Sequence, residues 1–128
     1  MTLIVGAAVI LRDGKVLLTR RPAGTHLEGY WELPGGKLEA GEDPKDCVRR
    51  ECLEECGIEI AVDEILEVTF HRYPERDVLL LFYSCRWLAG EVQHLGIAGH
   101  RWCEPSTLDP QALPPADRAV AQKIRAMG

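Results

Sequence analysis

The chain opens on a near-continuous apolar run, Leu3–Leu11, rich in Val and Ile. A run with no polar face to give to water predicts a strand buried on both sides. Asp13-Gly14 then supplies a tight-turn dipeptide and Lys15–Thr19 resumes strand-like sequence, so a β-hairpin is expected. Arg20 to Glu28 is polar and irregular. Trp31–Leu33 is short and apolar, and it meets Pro34-Gly35-Gly36, which reads as a loop. Asp43-Pro44 predicts a helix start, an N-cap followed by proline at the first helical position, where its missing N–H costs nothing. This helix is expected to run to about Cys56 and to stop at Gly57, a residue suited to the left-handed conformation. Glu59–Tyr73 reads as extended, Pro74-Glu75-Arg76-Asp77 turns the chain, and Val78–Trp87 is a strongly apolar strand. A short strand is expected near His100–Cys103. Pro114-Pro115 precedes a closing helix in which Ala116, Val120 and Ile124 form an apolar stripe. The order β, β, α, several β, α predicts an α/β sandwich around a mixed sheet.

Composition narrows the function classes. The 128 residues are one domain's worth, so residues 1–128 are read as a single domain. With 46% hydrophobic and 27% charged residues, the chain is neither disordered, nor collagen-like, nor a membrane protein. Its 15 Lys+Arg against 20 Asp+Glu leave a net charge of −5, which suits no nucleic-acid polymer. A small anionic ligand remains open if a metal supplies the positive charge. The N-terminal run lacks a preceding basic residue and leads straight into a turn, so it reads as a strand and not a signal peptide. No stretch approaches the ~20 apolar residues of a membrane span, and a cytoplasmic location is expected. There are five cysteines, none in a CxxC pair and none with zinc-site spacing; reduced thiols acting as small apolar side chains are expected.

The chemistry is concentrated in the first helix. Glu51, Glu54 and Glu55 stand at i, i+3 and i+4, on one helical face bordering the side that Cys47, Val48 and Cys52 would pack. Like charges at this spacing repel, and a hard divalent cation, Mg²⁺ or Mn²⁺, would relieve the repulsion through oxygen ligands. The alternative is a solvated acidic face neutralised by Arg49 and Arg50. Between Cys47 and Glu55, Glu51 is the carboxyl expected to have its pKa raised by burial and like charge.

Read with the preceding segment, Gly36, five residues, Glu42, seven residues and Arg50-Glu51-Cys52-Leu53-Glu54-Glu55-Cys56-Gly57-Ile58 resemble the Nudix box. All seven of its fixed identities are present; chance agreement at background frequencies is on the order of 10⁻⁸ per start position. Cys52 stands in a slot usually held by an aliphatic residue. Thr19-Arg20-Arg21, Trp31-Glu32-Leu33-Pro34-Gly35-Gly36, Tyr73-Pro74-Glu75-Arg76, Gly90-Glu91, Trp102 and Leu113-Pro114-Pro115-Ala116-Asp117 are similar to the MutT branch of that family. The resemblance implies a Nudix-type α/β/α sandwich with a loop–helix–loop catalytic motif, and Mg²⁺-dependent hydrolysis of a nucleoside triphosphate to monophosphate and pyrophosphate. It also implies Glu51, Glu54 and Glu55 as metal ligands, with Glu51 a ligand or the base that orients water. A backbone carbonyl of Gly35 or Gly36 joins the metal, Arg50 orients a box glutamate, and Arg21, Leu33, Arg76 and Asp117 line a base pocket.

Two positions bear on the substrate. Asp117 stands where the branch carries an asparagine; an ionised aspartate only accepts hydrogen bonds, which points to a base presenting donors, oxidised purine or cytosine. Asp117 could instead cap the last helix. A further glutamate that the branch supplies from a late loop is replaced by Gly96, with His94, Glu91 or His100 as possible substitutes. Trp31 and Tyr30 are open between stacking on a base and packing in the core. The competing functions are hydrolysis of another nucleoside diphosphate derivative, such as ADP-ribose or a dinucleoside polyphosphate, and binding of a nucleotide without cleavage.

Overall fold

A computed structural model describes residues 1–128. Strands β1 (Leu3–Arg12) and β2 (Lys15–Arg20) form the expected hairpin. Asp13 and Gly14 turn it with φ of 52° and 77°, the double positive φ that matches strand twist. The two strands pair only at the tip, Leu11 with Val16 and Arg12 with Lys15, and then splay.

The wedge between them is filled by one short segment. β3 (Trp31–Glu32) pairs with β2 through Thr19 and Glu32, and β4 (Gly35–Lys37) pairs with β1 through Gly6 and Gly36. This corrects the reading of Pro34-Gly35-Gly36 as a loop: both glycines lie in a strand. They serve close approach, because a Cβ on Gly35 would stand 2.1 Å from the Gly6 carbonyl oxygen.

The α1 helix (Pro44–Cys56) begins and ends as expected. The Asp43 side chain accepts the Lys45 N–H at 2.8 Å, and Gly57, at φ 67°, donates its N–H to the Leu53 carbonyl. β5 (Glu59–Arg72) and β6 (Asp77–Ala89) form a long antiparallel pair, and β6 runs parallel to β1. β7 (Gly99–Cys103) pairs with β2, and α2 (Arg118–Met127) closes the chain after a 3-10 turn at Pro115–Asp117. The sheet is therefore mixed, with β5 at one edge.

Side-chain alternation along β1 separates two cores. Ala8 and Ile10 meet Val48, Cys52 and Cys56 of α1 on one face; Ala7 and Val9 meet Val120, Ala121 and Ile124 of α2 on the other. The first strand is thus buried on both faces, and the layers form the α/β/α sandwich. All five cysteines are free, and Cys47, Cys52, Cys56 and Cys85 are buried as apolar side chains. No helix is long and apolar enough to cross a membrane.

Candidate active site

A cavity of about 1080 Å³ runs beside the wedge segment from α1 to the start of α2. Gly35, Gly36, Lys37, Glu51 and Glu55 line it on the α1 side, Leu33, Tyr73 and Asp117 on the α2 side, and Glu32 stands where its charge acts on both Glu55 and Asp117. Arg21, Arg76 and Arg50 also border it, so most of the residues singled out in the sequence converge on one space.

The α1 end is organised by a single guanidinium. Arg50 forms a two-pronged pair with Glu42, Nε to Oε2 at 2.8 Å and Nη2 to Oε1 at 2.9 Å. Its Nη1 donates to Glu51 at 2.8 Å and to Glu54 at 3.2 Å, and Nη2 reaches the Lys37 carbonyl at 3.2 Å. Arg50 therefore fixes three of the box glutamates and the strand before the helix, the positioning part expected of it. The Arg50 contact holds the Glu42 carboxyl down at about 2, so this anchor stays ionised through the neutral range.

The three helix carboxylates do not share one environment. Glu51 and Glu55 are half-buried and face the cavity, whereas Glu54 is exposed and lies against Arg50 outside it. Burial and like charge act together on Glu55. Burial first, and then the adjacent Glu51, push the Glu55 carboxyl well above the usual carboxylate range. Glu51 is seated directly over Gly36, where a Cβ would stand 2.4 Å from its carboxyl carbon. The Gly36 carbonyl faces the helix and accepts the Cys47 thiol at 3.4 Å.

This donor set is entirely oxygen. No three Asp, Glu, His or Cys side chains converge as a closed cage. Two carboxylates of which one is driven to hold a proton nonetheless fit a hard divalent cation, which would remove the repulsion and keep its other positions for water and phosphate.

The far end carries a second pair of acids. Asp117, 5% exposed, accepts the Leu33 N–H at 3.5 Å. Burial, and then the charge of Glu32, push its carboxyl up to about 7. The Asp117 side chain makes no capping bond to α2, so the helix-cap alternative does not hold. Burial pushes Glu32 up to about 7 as well, although Arg21 lies 3.3 Å away. The Arg21 Nε also donates to the His26 carbonyl at 2.9 Å, tying the loop after β2 to the floor of the cavity. Leu33 is buried next to Glu32 and bonded to Asp117, and Arg76 is exposed at the rim.

The sequence pattern that describes the NUDIX domain matches residues 6–123. The chain belongs to the Nudix family. It is 38% identical over 80 residues to the 8-oxo-dGTP diphosphatase of Proteus vulgaris, covering 62% of this chain and 71% of that one. It is 34% identical over 121 residues to the CTP pyrophosphohydrolase of Escherichia coli K12, covering 94% and 90%. The solution structure of the E. coli ORF135 protein superposes with a TM-score of 0.83 at 33% identity, over 98% of this chain and 90% of that one.

Within the Nudix frame the late loop has a specific form. Leu95 and Gly96 both donate N–H to the Glu55 carbonyl, at 3.1 and 3.0 Å, and a Cβ on Gly96 would stand 3.1 Å from Glu55 Cγ. The loop thus packs on the stem of a box glutamate. Of the substitutes considered, Glu91 is paired with Arg12, and His94 and His100 bond each other at 2.8 Å; none of the three lines the cavity. Trp31 and Tyr30 lie outside it too: Trp31 packs against the α2-side core under the Arg101 guanidinium at 4.5 Å, and Tyr30 is exposed.

Among the cavity residues not singled out from the sequence for this role are Glu32, Lys37 and Tyr73. Lys37 follows directly on the glycine pair, a signal that was readable. Glu32 and Tyr73 are brought in by strand register and a turn, which the chain order does not display.

Proposed function

We propose that this Nudix pyrophosphohydrolase hydrolyses a nucleoside triphosphate, an oxidised purine or a cytosine nucleotide, to the monophosphate and pyrophosphate. The observation that carries this is the single cavity with carboxylates at one end and a buried acid pair at the other. The names of the relatives, one acting on 8-oxo-dGTP and one on CTP, support the same pair of substrate classes. Glu32 and Asp117, both with pKa values near 7, offer a base edge an ionised acceptor beside a protonated donor. Such an edge has an N–H donor beside an acceptor, as cytosine does with N4–H and N3 and 8-oxoguanine with N7–H and its flanking carbonyls. Leu33 and Tyr73 supply apolar and aromatic surface for the ring.

At the other end, Mg²⁺, or Mn²⁺, would be held by Glu51 and Glu55 with a carbonyl of Gly35 or Gly36, and Glu54 would join them by turning in from its place against Arg50. When bound it supplies charge neutralisation of the phosphate oxygens and a water made more acidic. The chain's own groups do the rest. Arg50 holds the carboxylates in place, Glu51 accepts a proton from or orients the attacking water, Lys37 pairs with phosphate oxygens, Arg76 borders the base, and Arg21 serves the base or a phosphate. Water adds to phosphorus, and the α–β anhydride bond breaks to leave pyrophosphate. Substrates of this kind place the enzyme with the cytoplasmic nucleotide pool and call for no nucleic-acid polymer.

The test is a turnover panel with Mg²⁺ on 8-oxo-dGTP, dGTP, dCTP, CTP, dATP and ADP-ribose, scoring pyrophosphate and orthophosphate separately. Pyrophosphate from one triphosphate is expected, lost with chelator and with Glu54→Gln. Silence on every triphosphate, with ADP-ribose cleaved or only bound, overturns the reading.

A further inference from the structure

β5 is a 14-residue strand at the edge of the sheet, bonded to β6 on one side only. Long bare edges are templates for another strand, and proteins blunt them with bulges and charged side chains. Here the bulges are confined to one half. Register shifts fall between Glu59 and Ile60, Val62 and Ile65, and Ile65 and Glu67, and the Leu66 carbonyl is taken by Lys123 Nζ at 3.1 Å. From Glu67 to Arg72 the ladder is regular and no strand lies beyond it; the charges over this half are Lys123, 3.5 Å from Glu67, and Arg72, 5.5 Å over the Phe70 ring.

In this regular half the outward backbone groups belong to Val68 and Phe70. The Val68 N–H is not used by β6; it donates to the Glu67 carboxylate at 3.2 Å, so it points to the open side. Phe70, two residues on, shares that direction. The side chains of both are half out in solvent, 50% and 51% exposed. They sit opposite Leu81 and Leu79, and Leu79 in turn opposite Ile4, itself exposed. An apolar strip therefore crosses the sheet and ends at the open edge.

We propose that this edge pairs with the same edge of a second copy, antiparallel about a two-fold axis through Thr69. That register is the one the free groups allow. Val68 of one copy faces Phe70 of the other, each pair exchanging N–H···O bonds in both directions, and the ladder ends at Glu67 against His71, one residue short of the Leu66 carbonyl that Lys123 occupies. It also matches side chains: Val against Phe, Thr69 against Thr69, and Glu67 against His71, each a favourable cross-strand pair. The Glu67 carboxylate now covers the Val68 N–H with one oxygen and lies 3.5 Å from Lys123 Nζ with the other; the first would turn to the partner's imidazole when the partner's carbonyl takes that N–H. An isologous edge contact of this length lies at the small end of specific interfaces, so the dimer is weak and concentration-dependent.

Sedimentation equilibrium of the full chain from ~10 μM to ~1 mM tests it. The mass is expected to climb from 14.3 kDa towards twice that value. Val68→Lys and Phe70→Lys, both at exposed positions, should stay monomeric throughout with an unchanged circular dichroism spectrum. His71→Lys should lower the midpoint concentration about tenfold and His71→Glu should raise it by a similar factor, since each change acts at two symmetric pairs. A wild-type chain that stays at 14.3 kDa over the whole range overturns the proposal. So does a dimer that Phe70→Lys leaves intact, or one whose midpoint ignores or reverses the His71 changes.

Discussion

Gly35 and Gly36 are adjacent, both lie in β4, and both are too crowded for a Cβ, yet alanine should do different damage at each. At Gly36 the added carbon would stand 2.4 Å from the Glu51 carboxyl carbon and 2.5 Å from one of its oxygens. Ordinary contact needs about 3.4 Å or more, so the carboxyl must retreat by about 1 Å. Glu51 is a side-chain tip with rotatable bonds, so the strand need not move. A misplacement of about 1 Å at a catalytic group costs about 10²-fold, so Gly36→Ala should lose about that much kcat/KM with a small change in Tm. At Gly35 the obstacles are the Gly6 carbonyl oxygen at 2.1 Å and Ala7 Cα at 2.7 Å, both backbone of β1. No rotamer relieves that overlap; β4 must lift off β1, at about 3 kcal/mol. For a chain of this size that is a fall in Tm of about 10 °C. Thermal unfolding and steady-state turnover on both variants read the two effects separately. The reasoning is refuted if Gly36→Ala keeps activity within a few-fold of the wild type, or if it loses as much Tm as Gly35→Ala.

Arg50→Lys keeps the charge but cannot reproduce the two-pronged bond to Glu42 while also reaching Glu51 and Glu54; kcat should fall at least ~10-fold with KM nearly unchanged, and a rise in KM alone would count against a positioning role. Asp117 keeps its proton up to about 7 when folded, against 3.8 for a free aspartate. The folded state thus holds the extra proton between those values, and this contribution to stability, complete below about pH 4, is lost as pH rises towards 7. Asp117→Asn should flatten that part of the Tm profile; a variant profile parallel to the wild type's between pH 4 and 8 would show the reading of Asp117 to be wrong. Cys52 is fully buried as an apolar side chain, so Cys52→Val should change stability by less than ~1.5 kcal/mol and leave turnover intact, as checked by denaturant unfolding and the pyrophosphate assay.

What the sequence displays and what it hides divide along contact distance. The Asp43-Pro44 start, the Gly57 stop and the Glu51, Glu54, Glu55 spacing are local, each decided within one or two helical turns, and the structure keeps them all. The apolar run Leu3–Leu11 likewise needs no partner to announce that both its faces are buried. By contrast, Gly35 and Gly36 look like a turn in isolation, because glycine after proline suits a loop as well as it suits a strand pressed against another backbone. Only the splaying of β1 from β2 makes room for them as a strand. The rise of the Glu55 carboxyl was equally out of reach. It depends on burial of Glu55 by parts of the fold distant in sequence, and then on the neighbouring Glu51.

The same division explains why the chemistry is legible and the base is not. The reactive end is built from one helix and the strand just before it, so its pattern is written in a continuous stretch of chain. The base end depends on Asp117 meeting Leu33, 84 residues away, and on the pairing of Glu32 with Thr19. No spacing rule reports such contacts. Yet the two ends are mechanically joined, since Glu32 and Leu33 at one end and Gly35 and Gly36 at the other belong to the same wedge between β1 and β2. A base that shifts Glu32 acts on a segment anchored to β1 only a few residues later, where Gly36 supports Glu51. If the acid pair reads the base as proposed, its recognition and the alignment of the carboxylates are set by one stretch of backbone, and changes in that stretch should move substrate choice and turnover together.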